Sequence, residues 1–206
     1  MGPIETNCWI YRLDGNHAAI IDPGYEADKI ISALHKLDLV PVYILLTHGH
    51  FDHIAAVPDL KKAFPGLQIA IHKLDSEYLG IDAYNAHSIS AKAAMGSTSF
   101  IDFLVSPSNR DLPAANRLLE EGDSIGTFSV LHLPGHTQGS AAFWDKENGV
   151  IFTGDTLFAD GWGRTDLPGG NEKDIKASLR RLLSMDYNIA VYPGHGDTTT
   201  IGNEKN

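Results

Sequence analysis

The chain has 206 residues, of which 43% are hydrophobic, and a formal net charge of −10 with neutral histidines. Its length and apolar content fit a single domain with a sizeable core, and its acidity disfavours binding to nucleic acid or to an anionic membrane surface. Because it has one cysteine, no apolar run near the roughly 18 residues that span a bilayer and no signal-peptide pattern, we expect a cytoplasmic protein.

Strand and helix patterns alternate over the first 79 residues. Aromatic and β-branched runs predict strands at residues 7–13, 18–21, 42–46 and 68–72. Apolar residues at helical spacing predict a helix over 26–37 and a helical stretch over 52–63, in which Pro58 predicts a kink or a late start. Residues 73–79 favour one or two helical turns.

Residues 80–109 have no clear pattern and are rich in serine and alanine. Connections of this length within a small domain are often lids or binding loops. A helical surface insertion with its own small apolar contacts is the other interpretation, and the residues alone do not choose between them. We therefore treat the segment as an insertion or a substrate loop.

The second half is rich in strands and contains one clear helix. Its patterns predict strands at residues 117–121, 124–125, 128–133, 140–144, 150–153 and 189–192. Apolar residues on one side of 172–183 predict an amphipathic helix. Since sheets and helices must each bury an apolar face, this order predicts an α/β fold of four layers (αββα), with two mixed sheets face to face and helices outside.

A cluster of imidazole and carboxylate side chains follows the apolar strand at 42–46. Four of the six residues from 48 to 53 belong to it, namely His48, His50, Asp52 and His53. Neutral imidazole nitrogens and carboxylate oxygens are ligands that zinc, iron and manganese accept. Ligands at a strand end are held on a rigid scaffold, so the sequence predicts a metal site there.

Three later turns have a similar character, because each follows a predicted strand and places one candidate ligand beside a glycine. The ligands are His136, Asp155 and His195. Glycine lets the backbone turn tightly and approach a ligand closely. The complete candidate set contains nitrogen and oxygen donors without a thiolate, which leaves zinc, iron and manganese open.

His48-x-His50-x-Asp52-His53 followed by His136, Asp155 and His195 resembles the metallo-β-lactamase superfamily of hydrolases. The motifs at 22–24, 134–137, 163–166 and 193–196 resemble its glyoxalase II (hydroxyacylglutathione hydrolase) branch and the related persulfide dioxygenases. The resemblance implies one metallo-β-lactamase-like domain over 1–206, in the short form without the C-terminal helical domain. It also implies an αββα fold with the metal site at one edge.

The resemblance further implies two divalent metal ions, with zinc expected first and iron or manganese as alternatives. His48, His50 and His136 would hold the first metal, and Asp52, His53 and His195 the second. Asp155 would bridge them, since a carboxylate has two oxygens whereas an imidazole binds one cation. Asp52 and Asp155 are therefore also the candidate catalytic residues, with Asp52 orienting the attacking hydroxide.

Two metals roughly 3.5–4 Å apart would lower the pKa of a bridging water, so that the resulting hydroxide can attack a carbonyl carbon. A thioester such as S-lactoylglutathione suits this chemistry, because its thiolate leaves without a strong general acid. The partner is thus a small acyl thioester, while the oligomeric state stays open. Two alternatives remain, a mononuclear iron persulfide dioxygenase using His48, His136 and Asp155, and a lactonase or other ester hydrolase.

Several residues outside the ligand set have two interpretations. Asp22 either braces the site or caps a turn. Arg164 and Asp166 either brace the metal ligands, as the resemblance favours, or form a salt bridge within their loop. The remaining histidines are expected at the surface or hydrogen-bonded in the core; they are His17, His35, His72, His87 and His132. Of these, His72 and His132 are the candidates for neighbours of the metal ligands. Cys8 is expected to be a small core residue.

Overall fold

The computed structural model describes residues 1–81, 83–99 and 112–205, and two mixed β-sheets form its framework. The strands of the first sheet, in their spatial order, are β1 (Trp9–Arg12), β2 (His17–Ile21), β3 (Val40–Leu46), β4 (Gln68–His72) and β5 (Arg117–Leu119). β1 runs antiparallel to β2, and β2 to β5 are parallel. β3, which leads into the histidine cluster, is therefore the central strand.

The second sheet contains the later strands in the spatial order β11-β10-β9-β8-β7-β6. They are β6 (Ser124–Ile125), β7 (Phe128–His132), β8 (Ala141–Asp145), β9 (Val150–Gly154), β10 (Ala190–Pro193) and β11 (Thr199–Thr200). β9 and β10 are parallel, and the other neighbours are antiparallel. This alternation gives β7, β9 and β10 the same direction, so their carboxyl ends reach the same edge.

Helices cover the outer faces of the two sheets. They are α1 (Ala27–Lys36), α2 (Phe51–Ile54), α3 (Val57–Ala63), α4 (Ala83–Met95) and α5 (Glu172–Leu183), together with 3₁₀ helices at Lys73–Tyr78 and Asn203–Lys205. α1 buries Ile30 and Leu34, which lie four residues apart on one face. The side chain of Asn171 accepts hydrogen bonds from the first backbone N–H groups of α5, which fixes where that helix begins.

The strand alternation divides the core into layers. In β2, Ala18 and Ile20 pack in the cluster that includes α1 and α3, whereas Ala19 and Ile21 point to the other face. Phe128, Phe143 and Phe152 of the second sheet fill the space between the sheets. The outer face of the second sheet packs on α5. The predicted αββα sandwich is thus confirmed.

The predicted element bounds hold, with a few instructive differences. The helical stretch at 52–63 is two helices, and Pro58 lies in the first turn of α3, where a missing N–H breaks no helical hydrogen bond. β11 is a pair of residues at the edge of the sheet and is too short to leave a periodic pattern. Within 80–109, α4 is helical, while residues 82 and 100–109 lie outside the described residues.

Among residues 1–81, 83–99 and 112–205, no helix is both long and apolar enough to cross a bilayer.

Candidate metal centre

The candidate ligands all lie at strand ends on one edge of the sandwich. His48, His50, Asp52 and His53 follow β3 of the first sheet. The second sheet supplies the other three ligands, after β7, β9 and β10, namely His136, Asp155 and His195. Loops after strands of two facing sheets meet at this edge because the strands that carry them share one direction. The structure therefore brings together residues that are up to 147 positions apart (195 − 48 = 147).

The ligand atoms form overlapping groups of three. In each group one atom per residue lies within 4.8 Å of the others; the groups are His48–His50–His136, His48–His53–Asp155 and Asp52–His53–His195. The first and third groups are the two half-sites that the sequence predicts. The second group shares His48 with the first half-site and His53 with the other, so the half-sites adjoin and Asp155 lies between them.

The outer nitrogens of His48 and His53 are hydrogen-bonded to oxygens. His53 Nδ1 lies 3.0 Å from Asp22 Oδ2, and a carboxylate oxygen accepts, so Nδ1 carries the proton. Thr47 Oγ1 donates to Asp22 Oδ2 at 2.6 Å and is therefore free to accept from His48 Nδ1 at 3.1 Å. Both imidazoles consequently turn an unprotonated Nε2 towards the centre when they are neutral.

The histidines in the loops after β7 and β10 have the same arrangement. His136 Nδ1 lies 2.7 Å from the carbonyl oxygen of Arg164, and His195 Nδ1 lies 3.1 Å from that of Ile4. A carbonyl oxygen can only accept, so each Nδ1 donates and each Nε2 faces inward. Such outer hydrogen bonds orient metal-binding histidines and raise their basicity. His50 differs, because its Nδ1 faces His136 Nε2 at 2.9 Å.

Several buried atoms of the site have no hydrogen-bond partner among the described residues. They are the Nε2 atoms of His48, His50 and His53, and Asp155 Oδ1. His53 Nε2 lies 3.2 Å from Asp52 Oδ2 and 3.4 Å from Asp155 Oδ1, within ion-pair distance. A buried polar atom without a partner costs free energy, and a lone pair facing carboxylates is what a cation would satisfy. The donor set and these atoms fit two metal ions.

Burial and charge shift the proton affinities in a direction that agrees with this fit. Burial, reinforced by neighbouring imidazoles, holds the pKa of His48 and of His50 well below the usual value, which keeps both neutral and able to ligate. Burial opposes charge on His53 and on Asp52, but their mutual attraction and the charges nearby outweigh it. The pKa of His53 is therefore raised well above the usual value, and the pKa of Asp52 is lowered well below it.

His195 follows the pattern of His53. Burial lowers its proton affinity, but a hydrogen bond to Asp52 and the charge of Asp155 raise the pKa of His195 overall. The carboxylates of Asp52 and Asp155 therefore favour protons on the adjacent imidazoles of His53 and His195. A bound cation would replace those protons.

Asp22 is confirmed as a brace of the site. Its carboxylate accepts hydrogen bonds from the backbone N–H of Thr47 at 2.8 Å, from Thr47 Oγ1 and from His53. Asp22 therefore links the end of β2 to the start of the histidine cluster.

Arg164 and Asp166 act differently from the interpretation that the resemblance favours. Their side chains pair with each other through two hydrogen bonds of 2.7 Å and stay exposed, which is the loop salt bridge. It is the backbone carbonyl of Arg164, not its guanidinium, that holds His136. A carbonyl contact does not depend on residue type, so the sequence motif could not reveal it.

Asp75 is a supporting residue that the sequence analysis missed. It is buried in the 3₁₀ helix after β4 and accepts hydrogen bonds from Gly49 N at 2.9 Å, Thr137 Oγ1 at 2.7 Å and Gly139 N at 2.6 Å. These donors belong to the loops that carry His48, His50 and His136. One carboxylate thus ties a loop of the first sheet to a loop of the second, and a lone aspartate in a polar stretch carries no sequence signal of that role.

The other histidines lie where surface or core histidines are expected. His35 is exposed, and His17 pairs with Asp14 at the surface. The rings of His72 and His132 stack on each other with centroids 4.0 Å apart. His87 is buried in α4 and its Nε2 bonds the carbonyl of Tyr78 at 3.0 Å.

Cys8 is half-buried and packs against the core on the outer side of the first sheet, as expected. Burial raises the pKa of its thiol, which disfavours the reactive thiolate.

A cavity of about 480 Å³ opens over the ligand residues. Five candidate ligands line it, namely His50, Asp52, His136, Asp155 and His195, and α4 contributes five further lining residues, His87, Ser90, Ala91, Ala94 and Met95. Its volume lies in the range of small-molecule sites, roughly 300–1,000 Å³. The segment at 80–109 therefore contributes directly to the space beside the candidate metal centre.

Comparison with known proteins agrees with this geometry. Residues 1–195 match the family model of the metallo-beta-lactamase superfamily. Hydroxyacylglutathione hydrolase GloC of Haemophilus influenzae is 38% identical over 202 residues, which cover 98% of this chain and 90% of the relative.

Two solved structures share the fold over nearly the whole chain. TTHA1623, solved in a di-iron-bound form, is 39% identical with a TM-score of 0.80, and the match covers 99% of this chain and 94% of that one. The BLEG-1 B3 metallo-beta-lactamase is 36% identical with a TM-score of 0.82, covering 99% and 93%.

Proposed function

The chain belongs to the metallo-β-lactamase superfamily and is a metallo-hydrolase, and on that premise we propose that it hydrolyses a thioester such as S-lactoylglutathione. The observation that carries the proposal is the convergence of nitrogen and oxygen lone pairs from two sheets on one edge, under a cavity of small-molecule size. The similarity to a hydroxyacylglutathione hydrolase supports a thioester over other acyl substrates.

In this proposal His48, His50 and His136 hold one divalent cation, and Asp52, His53 and His195 hold the other. Asp155 serves both half-sites, which is supported by its two oxygens: Oδ1 lies 3.4 Å from His53 Nε2, and Oδ2 lies 3.5 Å from His136 Nε2. When bound, the cations would supply Lewis acidity and a hydroxide at neutral pH. Zinc is proposed first, and iron or manganese suits the same donors.

Asp52 has the position and charge to orient the attacking water. It lines the cavity, and its lowered pKa keeps it an ionised acceptor at neutral pH. Thr6 Oγ1 donates to Asp52 Oδ2 at 2.8 Å, which fixes the carboxylate. Water oxygen adds to the acyl carbon, the C–S bond breaks, and sulfur leaves as a thiolate that a water proton neutralises. A thiol pKa of about 8.5 makes this departure easy without a strong acid.

The proposal is tested on purified protein loaded with zinc, iron or manganese and assayed with S-lactoylglutathione. His48→Ala should lose about hundredfold or more in kcat/KM and lower the bound-metal stoichiometry, since it removes a central ligand. His17→Ala is the matched control, because His17 is the exposed first residue of β2 and pairs with Asp14. It should keep both activity and metal.

Two results would overturn the proposal. One is metal-loaded protein that cleaves no thioester, and the other is thioester cleavage that His48→Ala leaves unchanged. Oxygen uptake with a glutathione persulfide on an iron-loaded sample would instead assign the dioxygenase. Cleavage restricted to lactones or oxygen esters would assign the ester hydrolase.

A further inference from the structure

The cavity over the candidate metal centre is apolar away from the ligands. The described side chains that supply this apolar lining are Ile4, Phe51, Ala91, Ala94, Met95, Phe158 and Leu167. They come from the N-terminal segment, from α2, from α4 and from the loop after β9, so several parts of the chain supply the apolar lining. A substrate that reaches the centre must therefore place part of its surface against apolar side chains.

α4 presents a continuous stripe to this cavity. His87 and Ala91 line it four residues apart, and Ala94 and Met95 line it three and four residues after Ala91, which places them on one side of the helix. His87 is neutral at physiological pH, because burial lowers its pKa to about 4.

The polar groups of this wall already have partners. His87 Nε2 lies 3.0 Å from the carbonyl oxygen of Tyr78. Ser90 Oγ lies 3.2 Å from Tyr78 Oη. The α4 wall is thus without charge, and His87 Nε2 and Ser90 Oγ are engaged within the protein.

Arg164 is the one lysine or arginine among the described lining residues, and it is already paired with an acid. Nε and Nη2 of its guanidinium donate to the carboxylate oxygens of Asp166 at 2.7 Å each. Glutathione carries two carboxylates, and proteins bind carboxylates best with bidentate arginine or with lysine. The described walls suit an apolar group better than the glutathione moiety.

We infer that this cavity binds the acyl half of the substrate, and that the preferred acyl group is an apolar alkyl or aryl chain. The inference rests on the proposed thioester hydrolysis and names its substrate class. The carbonyl lies at the ligand wall, the chain lies along α4, and the thiol carrier extends through the open mouth towards solvent. Selectivity then resides in the acyl group and not in the carrier.

The first experiment compares acyl groups on one carrier, using metal-loaded full-length protein. S-acetyl-, S-butyryl-, S-hexanoyl- and S-lactoylglutathione are assayed, and each kcat/KM is divided by the rate constant of hydroxide-catalysed hydrolysis to remove intrinsic reactivity. Each buried methylene should raise the corrected kcat/KM about two- to fourfold. S-butyrylglutathione should exceed S-lactoylglutathione by about tenfold, because the lactoyl hydroxyl would lose its water without gaining a partner.

The second arm changes the carrier and keeps the acyl group. Butyryl thioesters of glutathione and of N-acetylcysteamine should differ by no more than about fivefold, the effect of one exposed ion pair. A corrected preference for lactoyl over butyryl would overturn the inference, and so would a hundredfold preference for the glutathione carrier. Those results leave thioester hydrolysis intact, whereas cleavage of none of the thioesters overturns the proposed function itself.

The position of the chain is tested with two substitutions on α4. Ala94→Trp places a large side chain in the cavity from an exposed site, so the fold should be retained. It should remove the advantage of hexanoyl over acetyl, so the ratio of their corrected kcat/KM values is the readout. Ala93→Trp is the control, since Ala93 is equally exposed but does not line the cavity, and its acyl profile should match the parent.

An unchanged chain-length profile in Ala94→Trp would overturn the inference. Met95→Ala provides an independent readout, because it enlarges the same wall. It should move the best acyl length upward by one or more carbons, and a fixed optimum would count against the proposed position of the chain.

Discussion

In four of the five site histidines, the inward nitrogen is set by what the outer nitrogen contacts, and His50 is the exception. His53 is oriented by the carboxylate of Asp22, whereas His136 and His195 are oriented by backbone carbonyls. Residue type alone predicts that an imidazole can bind a metal. Which nitrogen faces the centre of the site follows from partners that lie 28 and 191 residues away in the case of His136 and His195. Such partners have no local sequence signature.

Each oxygen of the Asp75 carboxylate accepts at least one hydrogen bond. Asp75→Asn keeps the size of the side chain but replaces one acceptor oxygen by an amide donor, which would face a backbone N–H or the Thr137 hydroxyl. The loops that it joins should loosen, and metal affinity should fall about 10- to 100-fold. Competition with a chromophoric chelator measures this affinity.

A matched control is Asp28→Asn, an exposed carboxylate in the first turn of α1. It should leave metal affinity unchanged. If Asp75→Asn lowered the melting temperature while metal affinity stayed the same, Asp75 would support the fold and not the site.

Gly194 directly follows β10, at a position where a larger residue would not fit. A Cβ at Gly194 would lie 2.2 Å from Asp155 Oδ1 and 2.7 Å from His53 Cε1. Gly194→Ala must therefore displace a candidate ligand of each half-site. We expect at least one metal per protein to be lost while the far-ultraviolet circular dichroism spectrum is retained.

Metal analysis by mass spectrometry checks this expectation. Gly66→Ala is the control, because a Cβ there meets no atom within 4 Å and the residue is not in the left-handed region. Full metal content in Gly194→Ala would show that the ligands tolerate the displacement.

His87 of α4 should make the stability of the protein depend on pH. Burial lowers the pKa of His87 to about 4, so between pH 6.5 and 4 the unfolded chain binds more protons at this residue than the folded chain does. Stability must then fall as the pH falls through this range. His87 should account for about 2 kcal/mol of the loss between pH 7 and pH 5.

Urea unfolding of chelator-treated protein at the two pH values, for the parent and for His87→Gln, measures this contribution. The variant should lose less stability on acidification, and using metal-free protein keeps metal release out of the comparison. His17→Gln, at an exposed position, should behave like the parent. An equal loss in the parent and in His87→Gln would show that His87 does not titrate as described.

For the whole molecule, the centre joins the two sheets. The first sheet supplies the ligands that follow β3, and the second supplies those after β7, β9 and β10. Bound cations would link the sheets and neutralise buried carboxylates, so metal removal should destabilise the fold. With free metal at a hundred times its Kd the stabilisation is about 2.7 kcal/mol per site, which shifts Tm by about 5–10 °C.

Calorimetry with and without a chelator tests this linkage. The same chelator should have a smaller effect on His48→Ala, which lacks a ligand of one half-site, and this comparison separates metal removal from other effects of the chelator. Identical melting of the loaded and chelated parent protein would mean that metals do not couple to folding here.

The longer helices and strands could be predicted from the sequence, whereas the shortest strand could not. The run at 42–46 and the helix at 172–183 showed clear patterns because several residues repeat the same choice of face. β11 has two residues and could show no period. The metal identity, the substrate, the cytoplasmic location and the single-domain organisation stay predictions.

The sequence by itself determined the donor chemistry of the site. His48, Asp155 and His195 are metal-compatible because of their side chains, and their order along the chain indicated the family and its αββα fold. Only the tertiary structure decided which nitrogen faces inward, that Asp75 ties two loops together and that an apolar cavity lies beside α4. The physical reason is range: donor chemistry is local to one side chain, whereas orientation and cavity shape arise from contacts that form when the two sheets pack.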